Sequence, residues 1–344
     1  MKICLLDSGT EKAWDDFVNQ HEHASIYHLS QWRHLINQQF GHSSEYLYAK
    51  QVNDGAIIGV LPIIQLKSRL FGHFMVSMPY FNYGGALADS SSVEVALMKY
   101  ACERAKKLGV GHIEFRDIAP RVDNWPVRMD KVAMILEFPE SADELWKTLG
   151  AKRRAQIKRP LREGMEIIAG GVDLIDEFYE VFARNMRDLG TPVYAKDFFL
   201  AILNTFHSTS HIVIIRHKNR AVAAAFLLGW RSRMEIPWAS TLREANPLGV
   251  NMLLYWEVLK FSIEKGYKSF DFGRSTIDSG TYRFKKQWGA KPQQHYWHYW
   301  LRPNADIPQL TTSGAKYQLA ISIWKKIPVG LTKLIGPSIV KNLP

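Results

Sequence analysis

The strongest chemical signal in the sequence is a run of basic residues between positions 144 and 163 that contains no acid. Its members are Lys147, Lys152, Arg153, Arg154, Lys158, Arg159 and Arg162. If the run forms one helix, the spacing of four places Arg154, Lys158 and Arg162 on one face, and Pro160 is expected to kink it. Exposed faces usually mix charges of both signs, so this face is predicted to bind a polyanion, with an ordinary solvated face as the alternative.

The overall charge balance favours the same kind of partner. The 344-residue chain carries a formal net charge of +11, which suits nucleic acid, phosphorylated substrates or anionic lipid. A basic balance without a specific cause is the alternative. Two distant cysteines, Cys4 and Cys102, indicate no disulfide framework. Because the apolar run at 3–6 is too short for a signal peptide, the protein is predicted to be cytoplasmic.

Motifs for metal or nucleotide chemistry do not occur in the sequence. Although the chain has 12 histidines, the closest group of His21, His23 and His28 lacks the spacing of a zinc site. The sequence also has no nucleophile elbow, Walker loop or dinucleotide fingerprint. We therefore predict no metal and no resident cofactor.

The elements that must position these residues occur twice along the chain. Two β-rich runs around an Asp-Gly turn, at 46–50 and 57–63, predict a hairpin, and runs at 211–216 and 221–227 predict a second one. Each hairpin is followed by more strand, a loop, a helix and a final strand. This order is similar to that of the acetyltransferase-like (GNAT) fold.

The predicted helices support this repetition. They cover 92–108 and 250–265, and each ends at a glycine that suits a left-handed cap. The predicted fold class is therefore α/β (α+β), with two tandem GNAT-like domains and mixed, mainly antiparallel sheets. The predicted domains are 1–139, 140–305 and a basic-apolar tail at 306–344, the second domain opening with a Ser141–Glu144 capping box before the basic run.

Acyl-CoA is an alternative co-substrate that the sequence leaves open. Acetyltransferases bind its pyrophosphate in an Arg-x-x-Gly-x-Gly loop at a helix N-terminus. Residues 106–111 imitate that loop but follow a helix instead of preceding one. Residues 242–249 lie at the correct place, before the second-half helix, yet contain only part of the pattern.

The tail combines apolar and basic residues. From position 307 to the end it has no acid, and its lysines alternate with isoleucine, leucine and Trp324. Such a segment either lies at a membrane interface or packs back on its domain. The first alternative would make the protein peripheral at the inner face of the membrane.

Five short segments resemble motifs of the FemAB family in the family's order. They are IYHLSQW at 26–32, PYFNYGGALAD at 79–89, the basic run with Arg153, Lys158 and Gly164, RNMRDLG at 184–190, and YRFKKQWG at 282–289. Gly85 stands where proline is usual in the second motif. The resemblance spans about 26–290, and the tail is similar to the branch associated with exopolysaccharide and protein-sorting systems.

The resemblance implies roles for individual residues. Lys285, in the segment that matches the family's Phe-Lys, is expected near the oxyanion that forms in acyl transfer. Independently of the resemblance, alternation along the strand-like run after Gly280 would send Phe284 and Lys285 to opposite faces, with Lys285 toward a groove. Asp271 is a further catalytic candidate, as general base. The predicted substrate-binding residues are Asp89, Arg187, Tyr194 and Tyr83.

The family's activity sets the expected function. Its members transfer amino acids from aminoacyl-tRNA to peptidoglycan precursors with two GNAT-like halves, so the chain is expected to be an N-acyl or aminoacyl transferase. The donor would be aminoacyl-tRNA or another anionic acyl donor, and the acceptor an amine of a cell-envelope or exopolysaccharide-related molecule. The alternatives are an acyl-CoA-dependent N-acyltransferase and a non-catalytic protein that binds polyanions or membrane surfaces.

Overall fold

The computed structural model describes residues 1–69, 71–308 and 315–343, and they divide into two units. The first unit contains residues 1–132, 294–308 and 341–343, and the second contains 133–293 and the tail helices up to residue 340. This division differs from the predicted boundaries at 139/140 and 305/306. The difference arises because a strand at Tyr296–Leu301 joins a sheet of the first unit.

The elements of the first unit lie mainly in the first third of the chain. They are β1 (Lys2–Leu5), α1 (Glu11–Gln20), α2 (Gln31–Phe40), β2 (Leu47–Lys50), β3 (Ile57–Leu61), β4 (Ile64–Ser68), β5 (Gly72–Val76), β6 (Leu87–Ala88), α3 (Ser91–Lys107), β7 (His112–Asp117) and β8 (Val127–Arg128). A 3₁₀ helix at Ile26–His28 precedes α2.

The second unit begins within a strand that follows β8. Its elements are β9 (Lys131–Glu137), α4 (Ala142–Thr148), α5 (Ala151–Arg162), β10 (Met165–Gly170), α6 (Ile175–Leu189), α7 (Lys196–Thr205), β11 (Ser210–His217), β12 (Arg220–Trp230), β13 (Arg233–Thr241), α8 (Val250–Glu264), β14 (Ser269–Thr276), α9 (Gly280–Lys286) and β15 (Lys291–Gln294). Strand β16 (Tyr296–Leu301) returns to the first unit, and the tail forms α10 (Ala315–Trp324) and α11 (Val329–Val340).

Two sheets build the first unit, in the orders β1-β2-β3-β6 and β4-β5-β7-β16-β8. The predicted hairpin is β2 and β3, with Leu47 opposite Leu61. Strand β5 runs parallel to β7, with Met75 opposite Ile113. Helix α3 connects β6 of the first sheet to β7 of the second. It buries one stripe of residues at helical spacing. That stripe includes Val93, Leu97, Met98, Ala101, Cys102 and Ala105.

One seven-stranded sheet builds the second unit, in the order β10-β11-β12-β13-β14-β9-β15. Strands β11 and β12 form the second predicted hairpin, and α8 connects the parallel strands β13 and β14. An aromatic cluster under α6 and α7 fills the core, with Phe178, Phe199 and Phe226 meeting edge to face. The predicted fold class is confirmed, since each unit has a hairpin, a parallel strand pair and a connecting helix.

Two local predictions are wrong. The basic run is not one helix, because Leu149 and Gly150 adopt extended backbone between α4 and α5. Pro160 lies inside α5. The segment around Lys285 is helical instead of extended, because the Ser279 hydroxyl accepts a hydrogen bond from the Tyr282 N–H (3.2 Å) and starts α9.

The tail helix α11 packs on the second unit. Gly336 approaches Val193 so closely that a Cβ atom would lie 2.9 Å from the Val193 nitrogen. Lys333 Nζ forms a 2.6 Å ion pair with Glu180 on α6. The structure therefore shows packing for one face of this helix. Within the described ranges, no helix has the length and apolarity needed to cross a membrane.

Candidate functional site

The parallel strands β13 and β14 of the second unit separate along their length. Their pairing begins at Arg233 opposite Ser269 and ends at Glu235 opposite Asp271. Strand β13 nevertheless continues to Thr241, and β14 continues to Thr276. Beyond the paired part the two strands no longer pair with each other, so they border an opening in the sheet.

A glycine in β14 lies just beyond the point where the pairing stops. Gly273 has φ +75°, a conformation that favours glycine and that interrupts a regular strand. The buried carboxylate of Asp271 accepts a 2.7 Å hydrogen bond from the Gly273 N–H, so this donor is turned away from the ladder. Asp271 therefore shapes the strand at the opening. This contact gives the predicted general base a positioning role.

Lys285 lies against this irregular part of β14. Its Nζ donates hydrogen bonds of 2.9 Å to the carbonyl oxygens of Gly273 and Arg274, and the side chain is only 7% exposed. Burial lowers the pKa of Lys285 to about 8, although the nearby Asp271 carboxylate acts in the opposite direction. At pH 7 the group is still mainly an ammonium. Among the described residues, these two carbonyls are the acceptors of its hydrogen bonds, so one of the three N–H donors of the ammonium can bond another oxygen.

Aromatic residues surround the base of α9. Tyr255 of α8 stacks on Phe272 at 5.7 Å and meets Phe284 edge-on at 4.9 Å. Among the described residues, the buried Ser275 Oγ and Trp288 Nε1 make no hydrogen bond. A cation in such water-poor surroundings interacts strongly with developing negative charge. Neither Ser275 nor Trp288 was predicted, because each resembles an ordinary core residue in the sequence.

The basic helix α5 packs at the start of α8. Gly249 precedes α8 with φ +84°, and a Cβ atom on it would lie 3.3 Å from the Gln156 carbonyl oxygen of α5. The segment at 242–249, which sequence reasoning placed at the acyl-CoA position, is thus next to the most basic helix of the chain. A helix N-terminus and nearby cations both favour an anionic ligand.

The predicted polyanion-binding residues do not all face solvent. Arg154 is half-buried and donates a 2.7 Å hydrogen bond to the Leu149 carbonyl, so it caps the break between α4 and α5. Lys158 is exposed, with Nζ 5.6 Å from the Trp146 ring centroid. Arg162 is exposed, as is its neighbour Arg159. In the part of the chain that the structure describes, Lys158, Arg159 and Arg162 form no salt bridge.

Two predicted substrate-binding residues lie in the second unit but do not meet Lys285. Arg187 donates to Asp188 Oδ1 (2.7 Å) and to the Ile327 carbonyl (3.2 Å), so it holds the tail in place. Tyr194 packs against Trp238, with ring centroids 6.1 Å apart. Because Trp238 lies in the part of β13 that no longer pairs with β14, Tyr194 is next to the strand that borders the opening.

The other two predicted residues belong to the first unit and do not converge either. Tyr83 lines a small pocket with His28, Asp117 and Arg121. Asp89 is exposed, just before the first turn of α3. Burial lowers the pKa of His28 to about 4, so its ring is neutral at pH 7. Tyr83 and Asp89, both predicted to bind substrate, are therefore in different surroundings.

A buried polar cluster lies beside this pocket and was not predicted. His298 Nδ1 and Asp117 Oδ2 are 2.9 Å apart, and Asp117 Oδ1 accepts from the Ala86 N–H at 3.1 Å. Gly85 is required here, because a Cβ atom on it would lie 2.1 Å from Asp117 Oδ1. These contacts fix the loop before β6. The charged residues within the buried strand HIEFRD at 112–117 were the available signal.

Comparison with known proteins agrees with this architecture. Residues 151–286 match the family model described as an acetyltransferase (GNAT) domain. The structure resembles FemX with a TM-score of 0.63 and 14% identity, covering 87% of this chain and 97% of that one. It also resembles L-PGS from Bacillus licheniformis (TM-score 0.53, 15% identity, 89% and 97% covered). No curated protein sequence matches the chain.

A further structural relative has the same two-part organisation. It is a tandem GNAT protein from clavulanic acid biosynthesis, with a TM-score of 0.53, 11% identity, and 89% and 99% of the two chains covered. Identities this low establish a shared fold and leave the activity to the residues of the site. The chain has a tandem GNAT fold, and the matched GNAT segment, from α5 to α9, includes both the opening in the sheet and Lys285.

Proposed function

We propose that the protein is an N-acyl or aminoacyl transferase whose reacting centre lies in the second unit at Lys285. The observation that carries the proposal is a buried ammonium bonded to the backbone of β14 where the parallel strands separate. The identified GNAT segment and the FemAB-like motif at 282–289 support the same location. We assign Lys285 the role of stabilising the acyl oxyanion.

The proposed reaction is attack of an acceptor amine on an activated acyl carbonyl. The nitrogen forms a bond to the carbonyl carbon, and the carbonyl oxygen becomes an oxyanion that the free N–H of Lys285 stabilises. Collapse of this intermediate breaks the ester or thioester bond, and the leaving oxygen or sulfur departs. The amine proton passes to the leaving group or to solvent. The product is an amide.

Aminoacyl-tRNA is the donor that we favour. Helix α5, which carries the exposed cations, packs at the start of α8, and a polyanionic donor would use both features. The FemAB-like order of motifs supports the same donor. For the acceptor we propose an amine on a cell-envelope or exopolysaccharide-related molecule, on the FemAB-like resemblance alone.

Acyl-CoA is the second candidate donor, and one observation favours it. The segment at 242–249 precedes α8 in the GNAT-type second unit, where the sequence places an acyl-CoA pyrophosphate. The pyrophosphate of acyl-CoA is much shorter than tRNA, so it would bind at the 242–249 segment without using the outer surface of α5. The donor can therefore be distinguished by how much binding depends on α5.

We expect the triple variant Lys158→Ala, Arg159→Ala and Arg162→Ala to weaken tRNA binding and reduce its salt dependence. Three lost phosphate contacts would lower the slope of log K against log salt by about 2–3. Binding is measured by fluorescence anisotropy with labelled tRNA at several salt concentrations.

The matched control removes three exposed lysines of α3, Lys99, Lys106 and Lys107, and changes the net charge equally. If both triple variants reduce the slope to the same extent, α5 contributes only general charge. An unchanged slope in the α5 variant would show that α5 does not contact the phosphates of aminoacyl-tRNA. Acyl-CoA binding that survives in the α5 variant would then favour the second donor.

A non-catalytic binding protein is the remaining alternative. Such a protein would bind tRNA or lipid through the same cations but would have no use for a buried ammonium at β14. Binding without any turnover of aminoacyl-tRNA or acyl-CoA would support this alternative and contradict the transferase.

A further inference from the structure

The tail helix α11 carries its most apolar residues on the side away from the protein. Its buried face consists of Thr332, Gly336 and Val340. The opposite face presents Leu331, Leu334 and Ile335, which are 52%, 75% and 40% exposed. Surface helices of water-soluble domains normally show the reverse pattern. This outer face therefore needs an apolar partner that the second unit does not supply.

Helix α10 also carries exposed apolar residues. Leu319 and Ile323 are spaced by four residues and are 62% and 54% exposed, so they lie on one face. Neighbouring side chains hold the helix in place, since Trp324 is buried and Ile321 packs at Gly190. We call the exposed residues of both helices the tail surface. It consists of Leu319, Ile323, Leu331, Leu334 and Ile335.

The charges carried by the tail segment itself have one sign. Lys325 and Lys326 are exposed in the turn between α10 and α11, and the sequence contains no acid from position 307 to its end. Cations next to exposed leucine and isoleucine suit a layer with an apolar interior and anionic headgroups. If the partner were an apolar patch on another protein, the tail would not need to lack acidic residues.

We propose that the tail surface inserts into the headgroup region of an anionic lipid bilayer. Helix α11 has 12 residues, so it is about 18 Å long, well below the roughly 30 Å of a bilayer core. It would therefore lie in the interface. Arg187, which binds the Ile327 carbonyl, and Lys333, which pairs with Glu180, hold it in this orientation before contact.

This inference does not depend on the proposed transferase activity. Lipid binding concerns the tail surface alone, and it can be measured with the full-length protein in the absence of any acyl donor. A failure of lipid binding would not contradict the role proposed for Lys285, and a failure of acyl transfer would not contradict lipid binding by the tail surface.

The test is flotation of the full-length protein with two kinds of vesicle. One contains phosphatidylcholine alone, and the other contains phosphatidylcholine with about 30% of the anionic lipid phosphatidylglycerol. We expect binding to the anionic vesicles only. The variant Leu331→Ser, Leu334→Ser and Ile335→Ser should bind at least tenfold more weakly. Lys325→Gln with Lys326→Gln should weaken binding by about fivefold for each lysine, and this loss should shrink at high salt.

Matched controls separate the tail from general effects. Val52→Ser removes a side chain that is 74% exposed in the first unit, and Lys106→Gln with Lys107→Gln removes an adjacent lysine pair on α3. Both should bind like the unmodified protein. Thermal unfolding should be unchanged in the serine variant, because the replaced side chains are exposed.

Three results would overturn the inference. They are no binding of the unmodified protein to anionic vesicles, equal binding to neutral vesicles, or unchanged binding of the serine variant. Sedimentation velocity adds a direct check on the rival occupant. Self-association that the serine variant abolishes, without lipid binding, would assign the tail surface to a second copy of the chain.

Discussion

Replacing Lys285 with methionine should lower the rate of acyl transfer by about 10²–10³-fold, while the protein stays folded. Methionine keeps the length and volume of the buried side chain, whereas alanine would leave a cavity. The loss follows from removing the ammonium that bonds the Gly273 and Arg274 carbonyls and to which we assign stabilisation of the oxyanion. The rate is measured with the donor that the protein turns over.

Stability should respond differently from activity. Burial lowers the pKa of Lys285 from 10.5 to about 8, so keeping it protonated in the folded state costs roughly 3 kcal/mol below pH 8. The methionine variant avoids this cost, but the two carbonyls lose their donor, which destabilises the variant by about 1 kcal/mol for each carbonyl. At pH 7 we therefore expect the methionine variant to be as stable as the unmodified protein or more stable by about 1 kcal/mol, measured by urea unfolding.

The pH dependence provides a control with a defined sign. Because the folded pKa lies below the unfolded value, the cost of the buried ammonium is fully present below pH 8 and disappears as pH rises toward 10.5. The transfer rate should fall as pH rises through about 8, whereas Lys285→Arg should not show this fall. Lys286→Met, at an exposed neighbouring position, should change little. A Lys285→Met rate near that of the unmodified protein contradicts the assignment.

Replacing Arg116 with methionine should destabilise the first unit by about 3–5 kcal/mol. The guanidinium is 2% exposed, pairs with Glu114 at 2.8 Å, and donates to the carbonyls of Met78 and Phe81. It also lies 4.6 Å from the Trp297 ring centroid. Without it, the buried Glu114 carboxylate would lose its ion pair with Arg116, and two carbonyls would lose a donor.

A second substitution shows how much of this cost is electrostatic. Adding Glu114→Gln to Arg116→Met removes the uncompensated charge, so the double variant should recover part of the lost stability. Urea unfolding followed by tryptophan fluorescence gives both free energies. Two results would show that the Arg116–Glu114 pair does not stabilise the first unit. One is a stability loss below about 1 kcal/mol in Arg116→Met, and the other is a loss in the double variant that exceeds the summed losses of the two single variants.

Local sequence patterns predicted the fold because they are set by neighbours in the chain. Alternating apolar residues on both sides of a turn specify a hairpin, and both hairpins occur as expected. The glycines after α3 and α8 have φ of +71° and +87° at Gly109 and Gly266, as the left-handed cap requires. These signals do not depend on distant contacts.

The errors arise where one residue outweighs the surrounding pattern. Gly150 separates α4 from α5, although the basic residues on both sides favour helix. At 280–286 the cap from Ser279 starts a helix where alternation suggested a strand. The side chain of Lys285, predicted to face a groove from a strand, instead reaches the backbone of β14 from this helix.

The buried cluster around Asp117 could not be predicted from local patterns. Its members come from distant positions, with Asp117 and His298 separated by 181 residues. Pairing of β16 with β7 brings them together, and nothing in either segment alone specifies that pairing. Similarly, Arg187 matches a family motif in sequence, yet its guanidinium binds the tail at Ile327.

Transfer of a labelled acyl group is the measurement that tests the central claim most directly. The full-length protein is incubated with a pool of labelled aminoacyl-tRNA, or with labelled acetyl-CoA, together with amine-bearing envelope precursors. We predict that label moves from one of these donors into an amide that survives mild base, and that Lys285→Met fails to catalyse this transfer. If the folded, unmodified protein consumes neither donor, or if Lys285→Met transfers label equally fast, the proposed function is contradicted.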